Sequence, residues 1–256
     1  MIVMGSLNAF RLFKIFERRF PLQVNSNLVE TLGFNLNINV FNKHQKPLCI
    51  YQHRQAATHT SGFVKTQPNL MKKLAKKIKE FTFLNSKLKA SGYFLYETVS
   101  DQIPYEYFFK EYKMPDTFNS WFLITELHVW MLMVRCMAED EDGRKVRNGI
   151  VESMWQDVIL KAKKLGSEHT MAARQQINEM SEQFQAAILT YDEGLLSSDK
   201  VLAGAIWRRF FSKQCNDPVQ VENMVKYVRQ QITNLENIDK DLFYARKFTW
   251  NNLQNR

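Results

Sequence analysis

Residues 121–134 read WFLITELHVWMLMV, and this stretch decides the fold. As a helix it is apolar almost all round, which predicts an element enclosed by other helices. A membrane span needs ~20 apolar residues and rarely holds a charge, whereas this run is shorter, contains Glu126 and His128, and ends at Arg135. We therefore interpret it as the central buried helix of a bundle, not as a transmembrane span.

Helical periodicity continues on both sides of this stretch, and the chain after residue 60 contains no β-hairpin signal. Pro68 suits the first turn of a helix, and apolar positions recur at helical spacing from there to Phe81. Asp217 followed by Pro218 has the pattern of an N-cap and a first helical residue. The predicted fold class is all-α, a single bundle of roughly seven to nine helices.

Boundaries between the helices are predicted from local residues. Either Asp116 or Thr117 should cap the central helix. Pro104, inside an aromatic-rich region, should separate two short helices. The acidic run closed by a glycine at 139–143 should form a charged turn, and 191–194, which ends in glycine, should close a later helix.

The net charge of +9 is unevenly distributed. Residues 1–79 carry 13 basic and two acidic side chains, whereas 80–256 carry 22 basic and 24 acidic ones, which weakens the case for a nucleic-acid-binding domain. The stretch AFRLFKIFERRF at 9–20 is amphipathic, Arg-bearing and acid-poor, as mitochondrial presequences are. We predict a presequence and largely disordered linker over 1–65, and a helical domain over 66–250.

A cluster of lysines follows Pro68, namely Lys72, Lys73, Lys76, Lys77 and Lys79. A solvated helix face usually has this composition, but so does a helix that contacts anionic lipid or ribosomal RNA. We predict that these five lysines contact the membrane or the ribosome.

The sequence contains no motif typical of a catalytic site: no Walker A, G-x-S-x-G, G-x-G-x-x-G or H-E-x-x-H. Cys49, Cys136 and Cys215 are widely spaced and suit neither a disulfide framework nor a zinc module. His128 has no partner at metal-ligand spacing, which favours a hydrogen-bonded core histidine over a haem or metal ligand. We predict no enzymatic activity, no catalytic residue, no metal and no cofactor.

Two function classes other than protein binding stay open. An all-α mitochondrial enzyme of the prenyl-transferring type would need two Asp-rich magnesium sites, and Asp192 with Glu193 has no matching second set of carboxylates. An RNA-binding translational adaptor would show RNA affinity that falls steeply with salt.

The stretch AIWRRFF at 205–211 combines the residue types that are enriched at interface hot spots. One helix cannot bury all its aromatic side chains on the side that carries both arginines, so some of them should face a partner. The alternative, with core aromatics and surface arginines, stays open. The candidate partner-binding residues are Tyr191, Asp192, Glu193, Trp207, Arg208, Arg209, Phe210 and Phe211.

Three long segments resemble the ubiquinol–cytochrome c reductase complex assembly chaperones. They are MPDTFNSWFLITELHVWMLMVR at 114–135, AAILTYDEGLLSSDKVLAGAIWRRFF at 186–211 and DPVQVENMVKYVRQQI at 217–232. The similarity covers about residues 68–243 in order, and the leader does not contribute to it.

This resemblance implies a mitochondrial chaperone without enzymatic activity on the matrix side of the inner membrane, in peripheral contact with that membrane. The implied partners are a small second complex III assembly factor and newly made cytochrome b. Fungal members also engage the mitochondrial ribosome and promote cytochrome b synthesis. The resemblance transfers no partner site residue by residue.

Overall fold

The computed structural model describes residues 68–165 and 171–251. These residues form eight α-helices and no strand, so the all-α prediction and the expected number of helices are confirmed for this part of the chain. The helices are α1 (Pro68–Gln102), α2 (Tyr105–Glu111), α3 (Phe118–Cys136), α4 (Asp140–Lys164), α5 (Met171–Leu196), α6 (Asp199–Arg209), α7 (Pro218–Glu236) and α8 (Lys240–Tyr244). The predicted presequence and linker, 1–65, lie outside the described residues.

Helix α3 is the most deeply buried helix of the bundle, with every residue from Phe122 to Met133 buried. Its N-cap is Thr117, whose hydroxyl accepts a hydrogen bond from the backbone N–H of Ser120 at 3.2 Å. Among the described residues, Phe118–Lys164 contains a window long and apolar enough to cross a membrane, and 83% of that window is buried inside the protein. The interpretation of α3 as the central buried helix is confirmed.

His128 lies in this core with both ring nitrogens hydrogen-bonded. Nδ1 is 2.7 Å from the carbonyl oxygen of Ile124, and Nε2 is 2.7 Å from the hydroxyl of Tyr227 on α7. Because a carbonyl only accepts, Nδ1 carries the proton and Nε2 accepts from the tyrosine O–H. His128 is therefore a hydrogen-bonded core histidine, as the sequence predicted.

Arg135 fastens the end of α3 to the end of α7. Its guanidinium donates to the carbonyl oxygens of Leu235 (2.9 Å) and Ile238 (3.0 Å), and to a carboxylate oxygen of Glu139 at 2.8 Å. The last carbonyls of a helix carry partial negative charge, so a cation there is favourable. Although buried, the guanidinium therefore has acceptors from three different residues.

Helices α1 and α4 run parallel and touch backbone to backbone. A Cβ on Gly92 would lie 2.3 Å from the carbonyl oxygen of Val146 and 2.8 Å from the Cα of Gly149. Two polar contacts show that the helices run in the same direction. Lys89 of α1 pairs with Glu152 of α4 at 2.8 Å, and one to two turns later in both helices Tyr96 donates a hydrogen bond to Asp157 at 2.7 Å. Only glycines fit at such a crossing.

The predicted length of the helix before Pro104 is wrong. The helix runs without a break through 35 residues to Gln102, so the helix before Pro104 is not a short separate one. Phe81 belongs to the apolar positions that recur at helical spacing, yet its side chain is 60% exposed, and Leu88 is the first buried residue of α1 among those whose side chains are described. The reason is tertiary: amphipathic periodicity marks a face but not where a neighbouring helix begins to cover it.

Two predicted turns lie inside helices instead. The acidic residues 140–142 form the first turn of α4, where carboxylates stabilise the positive end of the helix. Gly143 fits there because a Cβ would meet the carbonyl oxygen of Cys136 at 1.9 Å. Gly194 does not end α5, which continues to Leu196, and a Cβ on it would lie 2.7 Å from the Cα of Leu202 in α6.

The buried His128 should make stability depend on pH. Burial lowers the pKa of His128 from 6.5 to about 4. Between these values the unfolded state binds more protons than the folded state, so the free energy of unfolding falls as the pH drops from about 6.5 to about 4, by about 3 kcal/mol in total. Urea titrations of wild type and His128→Gln across this range should show a shallower loss in the variant. Parallel pH profiles would contradict this assignment.

Gly92→Ala should destabilise the protein by about 1–3 kcal/mol, because the added methyl group forces α1 away from α4. Gly204→Ala is the matched control, since a Cβ there meets only the side chain of Arg208, at 3.2 Å. Alanine favours a helix over glycine by up to about 1 kcal/mol, so the control should be neutral or stabilising. Equal thermal shifts in the two variants would rule out the close crossing.

Candidate partner-binding site

The candidate partner-binding residues divide between the core and the surface. Tyr191, Phe210 and Phe211 are buried. Helix α6 ends at Arg209, and the two phenylalanines that follow pack with their ring centroids 6.0 and 5.5 Å from that of Tyr112. The structure therefore places these three predicted residues in the core and not on an exposed surface.

Arg209 also points inward. Its Nε and Nη2 donate to the two carboxylate oxygens of the fully buried Glu126 at 2.7 and 2.6 Å, and its Nη1 donates to the side-chain oxygen of Gln183 at 2.8 Å. Burial raises the pKa of Glu126, opposed by these hydrogen bonds. Burial alone would lower the pKa of Arg209, but the hydrogen bonds and charge of Glu126 raise it. The ion pair fixes α6 against α3 and α5.

The two predicted acidic residues on α5 are also divided between the core and the surface. Asp192 is half-buried and accepts a hydrogen bond from the indole N–H of Trp130 at 2.8 Å, while Glu193 is exposed. Within 68–165 and 171–251, no group of three or more His, Cys, Asp or Glu side chains is arranged to hold a metal ion. Asp192 thus serves the core, and Glu193 remains available to a partner.

Trp207 and Arg208 are the exposed residues of the stretch 205–211. The Trp207 side chain is 36% exposed, and its indole N–H donates to the backbone carbonyl of Cys215 at 2.8 Å. This bond holds the ring in one orientation at the surface. Aromatic side chains that are rigid and exposed are typical anchors of protein interfaces.

Trp207 forms one wall of a groove between α6 and α7 with a volume of about 720 Å³, here called the α6–α7 groove. Apolar side chains dominate its lining, and charged side chains from both helices stand among them. The lining residues are Asp199, Lys200, Ala203, Gly204, Trp207, Cys215, Asn216, Pro218, Val221, Glu222, Val225 and Lys226. The sequence pointed to Trp207, but the groove itself depends on how α7 packs beside α6.

The five predicted contact lysines, here called the lysine face, lie on the first turns of α1. All five are exposed, and the ion pair between Lys76 and Glu80 is long, at 3.9 Å, and solvated. Three large apolar side chains close to them are also exposed, namely Phe81, Phe83 and Leu84. The sequence prediction included only the lysines, and their contact with membrane or ribosome stays a prediction.

Comparison with known proteins gives a consistent set of relatives. The family described as Ubiquinol-cytochrome C chaperone matches residues 110–250. Ubiquinol-cytochrome c reductase complex assembly factor 1 of Drosophila melanogaster is 50% identical over 186 residues, 71% of this chain and 72% of that protein. The human protein of the same name is 42% identical over 165 residues, 64% of this chain and 55% of that protein.

Two proteins of lower sequence identity are also similar to this chain. Protein CBP3, mitochondrial, of Saccharomyces cerevisiae is 34% identical over 146 residues, 56% of this chain and 44% of that protein. The crystal structure of the Cbp3 homolog from Brucella abortus superposes with a TM-score of 0.57 over 71% of this chain and 98% of that one, at 16% identity, which supports the fold alone. The α6–α7 groove lies inside the matched range 110–250, and the lysine face lies outside it.

Replacing Arg209 should destabilise the protein far more than replacing its exposed neighbour Arg208. Arg209→Ala leaves the buried Glu126 carboxylate unpaired, at an expected cost of about 3–5 kcal/mol, whereas Arg208→Ala should cost less than about 0.5 kcal/mol. The double change Glu126→Leu with Arg209→Met should regain most of the loss, since apolar pairs often replace buried ion pairs without penalty. Urea denaturation measures all three, and similar values for the two single variants would contradict the pairing.

Proposed function

This chain belongs to the ubiquinol–cytochrome c chaperone family, and from that premise we propose that it is an assembly chaperone of the mitochondrial ubiquinol–cytochrome c reductase complex. Relatives from fly and human carry the name of assembly factors for that reductase complex. Its work is to bind other proteins and not to catalyse a reaction, and the surface that we assign to binding is the α6–α7 groove.

The observation that carries this assignment is an exposed, fixed Trp207 beside an apolar floor. Val221 and Val225 lie four residues apart on α7, so they share one face of that helix, and Ala203 faces them from α6. A volume of about 720 Å³ is comparable to that of small-molecule pockets, roughly 300–1,000 Å³, so the groove has room for several side chains of a partner. Such a groove suits the apolar side chains that project from one face of a partner helix.

We take newly made cytochrome b to be the client. A protein whose transmembrane helices have not yet met their partners exposes apolar side chains, and these gain free energy by leaving water. Charged residues at the groove, among them Lys200, Glu222 and Lys226, add polar contacts around the apolar centre. Lys226 and Glu222 already pair with each other at 2.8 Å on the exposed side of α7. An apolar centre with a polar rim is the usual anatomy of an interface between proteins.

The proposal includes two further partners and a location in the cell. A small second assembly factor binds the client together with this chain, and the client comes from the mitochondrial ribosome. The place of work is the matrix side of the inner membrane. The mitochondrial part of this location is supported by the presequence-like composition of residues 9–20 and by the yeast relative, whose name describes it as mitochondrial.

Capture of the client from mitochondria labelled during organellar translation tests the proposal. We expect the wild-type chain to recover cytochrome b, and Trp207→Ala to lower the recovery by about tenfold or more, because tryptophan hot spots contribute at least ~2 kcal/mol. Val221→Ser should weaken capture in the same direction. The matched control is Val219→Ser, which changes an exposed valine two residues away on α7, outside the groove.

Two outcomes would sink this assignment. Absence of cytochrome b from the material bound by wild type would remove the proposed client. Equal recovery by Trp207→Ala, Val221→Ser and Val219→Ser would leave the client but remove the groove as its site. Circular dichroism of each variant separates loss of binding from loss of fold.

A further inference from the structure

The start of α1 carries an exposed surface that the α6–α7 groove does not involve. The five residues of the lysine face are exposed, and so are Phe81 (60%), Phe83 (70%) and Leu84 (48%). Large apolar side chains that cluster in solvent on one helix mark a surface that something else covers. A partner of this surface must therefore accommodate both apolar and cationic side chains.

The lysines and two of these apolar residues belong to the same side of the helix. Phe83 follows Lys76 by seven residues, and Leu84 follows Lys77 by seven, so each pair lies two turns apart along one stripe. Lys73 lies one turn before Lys77 on the same stripe. A single surface could therefore contact the lysine side chains and the two apolar side chains together.

The charge of this region is strongly one-sided. Between 68 and 87 the chain has six lysines and a single acidic residue, Glu80. Beside it, Lys145 of α4 places its ammonium group 5.2 Å from the ring centroid of Phe81, which adds a further cation at the edge of the surface. Glu141 near the start of α4 is paired with Arg144 at 3.2 Å.

We propose that the first turns of α1 seat the protein on an anionic lipid surface. The lysine face contacts lipid headgroups, and Phe83 and Leu84 insert between the acyl chains below them. Long lysine stems allow the charged ends to stay at headgroup level while the apolar residues go deeper. Anionic headgroups attract each nearby lysine, and burial of apolar side chains adds a contribution that salt does not screen.

Lipid fits this surface better than nucleic acid does. Bases would stack on the two phenylalanine rings but would gain little from Leu84, which the lipid interior takes up as readily as a ring. The cations are all lysines, with no arginine between 68 and 87 to provide the planar, two-pronged phosphate contacts that arginine makes. Binding of RNA by the lysine face is therefore the alternative result that the experiment must distinguish.

Vesicle flotation of the full-length chain tests the proposal, with phosphatidylcholine vesicles compared with vesicles that also contain phosphatidylglycerol. We expect binding only where the anionic lipid is present. Reversal of four charges, Lys72, Lys73, Lys76 and Lys77 each to Glu, should weaken it by about tenfold or more. Replacing Phe83 and Leu84 by Ser should lower binding severalfold, and the binding that remains should become steeply salt-dependent.

Matched controls carry the same changes elsewhere. Lys110, Lys164, Lys213 and Lys247, each changed to Glu, alter the net charge equally at other exposed positions. Leu189→Ser with Leu196→Ser removes two exposed leucines from α5. If either control weakens vesicle binding as much as its α1 counterpart, the lipid surface is not on α1.

Two further results would overturn the proposal. Unchanged binding of the Phe83 and Leu84 variant would exclude insertion. Wild type that ignores vesicles but binds poly-uridine RNA through the lysine face would assign that face to nucleic acid. The proposal does not rest on client capture: Trp207→Ala should still float with anionic vesicles, so failure of one assignment is distinguishable from failure of the other.

Discussion

The enclosure of α3 is the constraint on which the rest of the structure depends. A helix that is apolar almost all round must be surrounded, and α1, α4 and α7 pack against it. Enclosure also takes Glu126, His128 and Arg135 out of water, where an unpaired polar group costs several kcal/mol. Each of them is therefore bonded to an element later in the chain: Glu126 to α6, His128 to α7, and Arg135 to the carbonyls at the end of α7.

The same constraint produces the groove. Because Arg209 must reach the buried Glu126, Trp207, two residues earlier, points to nearly the opposite side of α6. The hydrogen bond from its indole to Cys215 then holds the ring beside α7. A candidate binding surface can thus follow from the pairing of one buried charge, while the next two residues, Phe210 and Phe211, are buried beside Tyr112.

The two candidate surfaces differ in origin. The α6–α7 groove is built from residues whose neighbours belong to the core, and it lies within the range that matches the family. The lysine face and its exposed phenylalanines lie outside that range, on turns of α1 where the described side chains are exposed. One surface suits a client with apolar helices, and the other suits the surface of a membrane, so a single chain would hold its client where the client is inserted.

The amino-acid sequence by itself determined the fold class, the central helix, the start of α7 at Pro218 and the hydrogen-bonded role of His128. These features depend on local periodicity, capping chemistry and the cost of burying polar groups, all of which are written in short stretches of chain. Composition also separated the cationic front of the chain from its near-neutral remainder.

Only the tertiary structure decided which candidate residues face solvent. Trp207 and Phe210 are equally apolar in sequence, yet one lines a groove and the other is buried, because the ion pair of Arg209 sets the rotation of α6. Likewise Phe81 fits a buried face by spacing and is exposed because the packing that buries Leu88 does not reach it. Periodicity fixes faces within a helix, but contacts between residues distant in sequence decide which face is covered.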